Sequence, residues 1–152
     1  MTGQEREPED VYDLFRRGEE LIASRHHAQA AVVLRRAARM EPGKGSIVEA
    51  LGRALYNSGQ WVEAEGAFRT LLEIDPSSHY AHFGLAQSLG KRRRTEEART
   101  HLRLAVALSP SSSLYRDALG RLPPVTPPAT PPATGPATGP ATAQEVRPRP
   151  TP

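Results

Sequence analysis

No cysteine occurs anywhere in the 152 residues, which removes disulfides, thiolate nucleophiles and Cys-ligated metals together. Lysine is almost as rare, two residues against eighteen arginines, and with the abundance of Ala and Pro this points to a GC-rich bacterial genome. No apolar run approaches the roughly 20 residues that span a bilayer, so no membrane segment is expected. The opening residues Met1 to Glu7 are polar and acidic, with no apolar stretch behind them. No secretory leader is therefore expected, and a cytoplasmic location is the default. A Gly-rich phosphate loop is also missing: Gly43-Lys44-Gly45-Ser46 is short, has no strand before it, and reads as a linker and a cap. Proline is sparse before residue 123 and crowded after it, where residues 123–152 hold 11 of the 15.

What the chain does have is a period. Pro42, Pro76 and Pro110 are spaced by steps of 34 residues, and the residues between them fall into columns. Gly18, Gly52 and Ala86 align, as do Leu21, Leu55 and Leu89; then come Ala30, Ala64 and Ala98, followed by Leu34, Phe68 and Leu102. The large apolar columns recur at three- and four-residue steps, the period of an amphipathic helix. Proline ends the second helix of each unit, since it lacks an amide proton and disfavours helix in the residue before it. The small columns predict close approach of paired helices, with Gly18, Gly52 and Ala86 facing Ala30, Ala64 and Ala98.

This pattern resembles the tetratricopeptide repeat, most clearly in the middle unit: Leu51-Gly52, Gly59 in the turn, Trp61 opening the second helix, Ala64 and Phe68, then Pro76. The first unit has Arg17 where leucine is usual, and Arg25 and Arg93 stand where Gly59 stands, which predicts a different geometry for those two turns. The resemblance implies an all-α, right-handed α-solenoid of three helix pairs plus a capping helix. Its units are 11–44, 45–78 and 79–112, its cap 112–122, and residues 1–10 form a lead-in. Helices are expected over 9–23, 28–40, 45–57, 61–74, 79–90, 95–108 and 112–122, with Pro8, Glu9 and Asp10 in a first turn. Residues 123–152, with their Pro-Ala-Thr triplets, have no large apolar groups to bury and are expected to form a disordered tail, partly polyproline II. A Pro-rich ligand for another domain is the alternative use of that stretch.

Several constellations invite sharper readings. Arg35, Arg69 and Arg103 form one column, a ridge that could track phosphates, but Glu65 and Glu73 flank Arg69 and no aromatics interleave. A solvated outer face is the expectation, and nucleic-acid binding the alternative. Lys91-Arg92-Arg93-Arg94 falls in a turn and reads as exposed charge, or as a dock for an acidic segment. His79 and His82 share a helix face without a carboxylate to complete a metal site, and packing explains His82 better. No nucleophile stands beside a base, so no enzyme, cofactor or metal is expected.

In this family the first helices line a concave surface. The resemblance then implies a partner-binding groove of Tyr12, Phe15, Arg16 and Glu19; Glu49, Arg53 and Asn57; Tyr80, Phe83, Gln87 and Lys91; and Arg121. Tyr and Arg carry much of the energy at interfaces. Ala50, Gly84 and Ala118 are expected to leave room for a peptide backbone, and Phe15 and Phe83 have a second reading as filler between units. The Lys/Asn/Arg clamp that one subclass uses for chaperone C-termini is missing: the matching places hold Phe15, Glu19, Ala50, Tyr80 and Gly84. The function implied is an adaptor holding a peptide or helix of another protein. Self-assembly through incompletely covered ends, as a weak homo-oligomer, is a further alternative.

Overall fold

A computed structural model describes residues 7–125 of the chain; residues 1–6 and 126–152 lie outside the described residues, and with them most of the expected disordered tail. Seven helices are described: α1 (Val11–Ala23), α2 (His27–Met40), α3 (Gly45–Asn57), α4 (Trp61–Ile74), α5 (His79–Lys91), α6 (Thr95–Leu108) and α7 (Ser113–Arg121). Each packs on the next, and α3 also touches α1 and α5. The helices therefore form an all-α stack of antiparallel hairpins, with α1, α3 and α5 side by side in one layer.

Helix α1 begins at Val11, later than expected. Asp10 takes the N-cap position without a side-chain hydrogen bond, and Glu9 pairs instead with Arg36 on α2. Ser78 and Ser112 do cap, their hydroxyls accepting from the amides of Ala81 and Tyr115. Lys44 precedes α3 without capping it, so the Gly43–Ser46 stretch is a linker only.

The three hairpin turns share one geometry, contrary to the expectation for the arginine-bearing pair. Arg25 (φ 64°), Gly59 (φ 80°) and Arg93 (φ 61°) are all left-handed. The following amides, of His26, Gln60 and Arg94, reach back to the carbonyls of Leu21, Leu55 and Leu89 at 2.8, 2.9 and 3.0 Å. This is the 6→1 bond of a Schellman ending, which requires a left-handed residue one step earlier. The hairpin thus dictates the turn, and Arg25 and Arg93 accept a conformation that costs an L-residue roughly 1–2 kcal/mol.

The core is one column deep. Ala30, Ala64 and Ala98 are each 0% exposed, and Leu34, Phe68 and Leu102 are nearly so. The small residues of the first helices meet this large column more closely than the alanines they were expected to face. A Cβ at Gly18 would stand 2.4 Å from Leu34, and one at Gly52 would stand 2.9 Å from the Phe68 ring. Phe68 also reaches the next hairpin, where a Cβ at Gly84 would stand 2.4 Å from its ring. Gly84 shares its column with Ala50 and Ala118. Across the joints, therefore, the sequence sets glycine in the column position that meets the bulky Phe68 and alanine in the corresponding positions for Leu34 and Leu102.

Candidate functional site

That matching corrects the groove as read from the sequence. Ala50 is buried and Phe83 is only 7% exposed, so these two pack the joints between hairpins; Gly84 is buried against Phe68 as well, yet it also lines the cavity described next. Phe15 is half-buried against the same core. The groove floor is set by how far each first helix leans on its neighbour, which periodicity alone does not give.

A small cavity of about 160 Å³ opens between α3 and α5. Five of the expected groove residues, Arg53, Asn57, Tyr80, Phe83 and Gln87, line it together with Tyr56. Tyr56 was missed, although it lies one turn on from Arg53 and its spacing could have placed it there. Aromatic rings continue from the cavity toward the cap: Tyr80 meets Phe68 edge-on at 6.2 Å and Phe83 at 6.2 Å, Phe83 meets Tyr115 at 4.9 Å, and Tyr115 meets His79 at 5.6 Å. The His79 ring nitrogen also lies 2.8 Å from the Tyr115 hydroxyl. Tyr80 is half-buried, and burial raises its phenol above the ordinary value, with Arg53 opposing and Glu49 adding to the rise.

Charge in the groove is partly neutralised. Glu19, Arg53, Gln87 and Arg121 occupy one column, and Arg53 donates to Glu19 at 2.7 Å across α1 and α3. The buried Nε of Arg53 has no acceptor among the described residues. Glu49 is half-buried and has no ion-pair partner among them, yet its charge is felt at both Tyr80 and Tyr115. The remaining expected residues lie apart from the cavity. Tyr12 is 65% exposed on α1, Arg16 sits 3.9 Å from Glu20, and Arg121 ends α7. Lys91 lies over the Trp61 ring at 5.6 Å, on the turn edge of the stack.

Elsewhere the structure absorbs features that looked functional. Glu65 is buried and accepts from Arg69 and Arg92 and, at 2.9 Å, from Arg94. Burial alone would raise its pKa, but the bonds from Arg69 and Arg92 and the charges of Arg92 and Arg94 hold it below the ordinary carboxylate value. Within the basic run, Arg92 and Arg94 therefore form a clamp tying the third hairpin to the second, while Lys91, Arg92 and Arg93 remain exposed in the turn, as expected. Two of the three ridge arginines are engaged as well: Arg35 bonds to Glu63, and Arg69 to Glu65 with Glu97 at 3.7 Å, while Arg103 is exposed. His82 stacks on His101 with Nδ1 atoms 3.0 Å apart, and its Nε2 donates to the Pro76 carbonyl at 3.2 Å, so it serves as a packed bridge. Among the described residues no group of three His, Cys, Asp or Glu side chains could hold a metal ion, and no described helix is long and apolar enough to cross a membrane. A larger hollow of about 600 Å³, lined by Glu7, Pro8, Glu9, Arg17 and Arg36, is an open crevice beside the lead-in and away from the aromatic row.

Comparison with known proteins agrees with this architecture. The family profile described as Tetratricopeptide repeat matches residues 15–79 and again 49–113. A small glutamine-rich tetratricopeptide repeat-containing protein 2 of Mycosarcoma maydis is 36% identical over 62 residues, covering 41% of this chain; the chain spans 18% of that relative's length. Among solved structures, MamA from Desulfovibrio magneticus RS-1 superposes with a TM-score of 0.70 at 20% identity, over 73% of this chain and 63% of that one. YrrB, a TPR protein with an unusual peptide-binding site, gives 0.70 at 22% identity, over 73% and 57%. The first TPR of Spaghetti (RPAP3), solved bound to the HSP90 peptide SRMEEVD, gives 0.70 at 14%, over 78% and 94%.

Proposed function

This chain belongs to the tetratricopeptide-repeat family, and from that premise we propose that it is an adaptor holding an extended segment of another protein against the faces of α3 and α5. The observation that carries this reading is the cavity lined by Arg53, Tyr56, Asn57, Tyr80 and Gln87. It offers two amide side chains and an arginine, groups that bond to peptide carbonyls, above an aromatic floor that a side chain can cover. Shape and hydrogen bonding of this kind hold protein; no group beside the cavity combines a nucleophile with a base. An acidic C-terminal peptide is disfavoured here, because Glu19 and Glu49 occupy the surface. A single short segment would bind at about micromolar strength, roughly −8 kcal/mol.

The test uses peptides selected from a displayed random library on the full chain. The double variant Asn57→Ala/Gln87→Ala is expected to weaken them at least about tenfold while leaving Tm unchanged, because Asn57 is exposed and Gln87 half-buried. Selected peptides that bind this variant with unchanged Kd would place recognition elsewhere.

A further inference from the structure

The turn edge of the stack carries strain that glycine would remove. Gly59 holds the left-handed place in the second turn at no steric cost, yet arginine holds it in the first and third. Arg25 and Arg93 are both exposed, and neither pairs with a carboxylate among the described residues. Backbone strain kept at a surface position without a structural partner points to a function for the side chain.

The three turns lie in a row, because each joins a first helix to a second and the first helices run side by side. Neighbouring turns stand roughly 10 Å apart at ordinary helix spacing. Between the two arginines lies a shallow hollow of about 220 Å³, lined by Gly59, Gln60, Trp61, Val62, Glu63 and Arg92. Its apolar wall is open to solvent: Val62 is 64% exposed and Trp61 37%. Lys91 holds its ammonium over the Trp61 ring. The carboxylates nearest the hollow are already engaged, Glu63 by Arg35 and Glu65 by Arg92 and Arg94. Glu96, in the column of Val62, is exposed and bounds the patch on α6. Arg25, Lys91 and Arg93 are thus cations without a carboxylate on either side of an apolar hollow.

We propose that this edge is a second docking surface, taking an acidic segment of another protein that carries one apolar side chain. The apolar side chain enters the hollow between Trp61 and Val62. Carboxylates on one side of it meet Arg25, and those on the other meet Lys91 and Arg93. An extended segment advances about 3.3 Å per residue, so acidic residues roughly three places from the anchor reach the flanking turns. A nucleic acid suits the edge less, because its charge is continuous while Glu63 and Glu96 stand in the same row. A membrane surface needs a broader apolar face than Trp61 and Val62 provide. The hollow shares no lining residue with the cavity of Arg53 and Tyr80, so the inference stands apart from the groove reading and adds a site to it.

The probe is a capped peptide with a central leucine and Glu-Asp-Glu on each side, titrated with the full chain and followed by the anisotropy of a dye on the peptide. Arg25→Gly/Arg93→Gly is the decisive variant, since glycine relieves the turn strain while it removes both guanidinium groups. It should weaken the peptide at least about tenfold, with Tm unchanged or raised. Val62→Gln, at an exposed position, should also weaken it, and replacing the peptide's leucine by alanine should cause a similar loss. Asn57→Ala/Gln87→Ala should leave its Kd unchanged. No binding, a Kd indifferent to the glycine pair, or a Kd indifferent to both Val62→Gln and the alanine peptide would overturn the proposal. So would a loss in the Asn57/Gln87 variant, which places the peptide in the groove. Tighter binding of single-stranded oligothymidine, or of phosphatidylserine vesicles, would overturn it by assigning the edge to a nucleic acid or a membrane. Library peptides that still depend on Asn57 and Gln87 after any such failure leave the groove reading standing and remove only this one.

Discussion

The joint between the first and second hairpins and the joint between the second and third use the same columns with different chemistry. At the first, Leu34 stands in the column of Phe68 and Ala50 in the column of Gly84. At the second, the ring of Phe68 occupies the space that a side chain at Gly84 would need. The polar edges differ in parallel. Ala31, Ser58 and Gln60 at the first joint become Glu65, Arg92 and Arg94 at the second, so an alanine with a neutral Gln60–Ser58 bond of 2.8 Å gives way to a buried carboxylate held by arginines. One frame therefore accepts either apolar closure or an ionic clamp, provided each volume and each charge is matched within its own joint.

The strongest test of that matching is to break one half of it. Gly84→Ala should cost about 3 kcal/mol, because the added carbon would lie 2.4 Å from the Phe68 ring. Phe68→Leu alone should cost about 1–2 kcal/mol through the space it leaves. The double variant, which installs the first joint's pair in the second, should cost less than the sum by more than about 1 kcal/mol in a urea-melt cycle. Additive losses would show that the two positions do not compensate.

Removing the clamp's anion comes next. Glu65→Ala leaves Arg69, Arg92 and Arg94 facing one another. Loss of a buried partner can cost 3–5 kcal/mol, but these arginines are more than a third exposed, so about 2 kcal/mol is expected. Adding Arg92→Ser and Arg94→Gln, the residues of the first joint, should recover part of it. Continued loss would mean the arginines stabilise the joint without Glu65.

A third effect depends on pH. His101 is pushed below its ordinary value of 6.5 by burial, then by the charges of His82 and Arg69, with Glu97 opposing. The unfolded chain then binds more protons than the folded one below pH ~6.5, so stability is full above that pH and falls as the pH drops toward the folded value. The corresponding places in the second hairpin are Val48 and Ala67. His82→Val with His101→Ala should flatten this part of the Tm–pH curve, and an unchanged slope there would assign it to other groups. The smallest effect is at the turns. Arg25→Gly and Arg93→Gly should each add about 0.5 kcal/mol, the left-handed strain less the entropy of glycine. A loss on either substitution would show that arginine's own contacts outweigh the strain.

The stack was legible because its cause is local: a proline every 34 residues, small residues where helices approach, and apolar residues at helical steps. The burial of Phe83, Ala50 and Gly84 was not, because it depends on the lean of one hairpin on the next. Nor was the clamp, since Glu65 and Arg92 are 27 residues apart and meet only across a joint. The hairpin turns were misjudged for the opposite reason: chain geometry imposes the left-handed residue whatever its identity, so Arg25 and Arg93 adopt what Gly59 adopts. Of the groove, the aromatic and amide residues of α3 and α5 come together as spacing implied, while Lys91 is drawn to Trp61.

That last contact has a practical consequence. Trp61 is the chain's lone indole, and it carries the ammonium of Lys91 from the following hairpin above its face. Its emission therefore offers a gauge of the gap between the second and third hairpins, and an occupant that prises them apart or draws them together is expected to announce itself optically, without a dye.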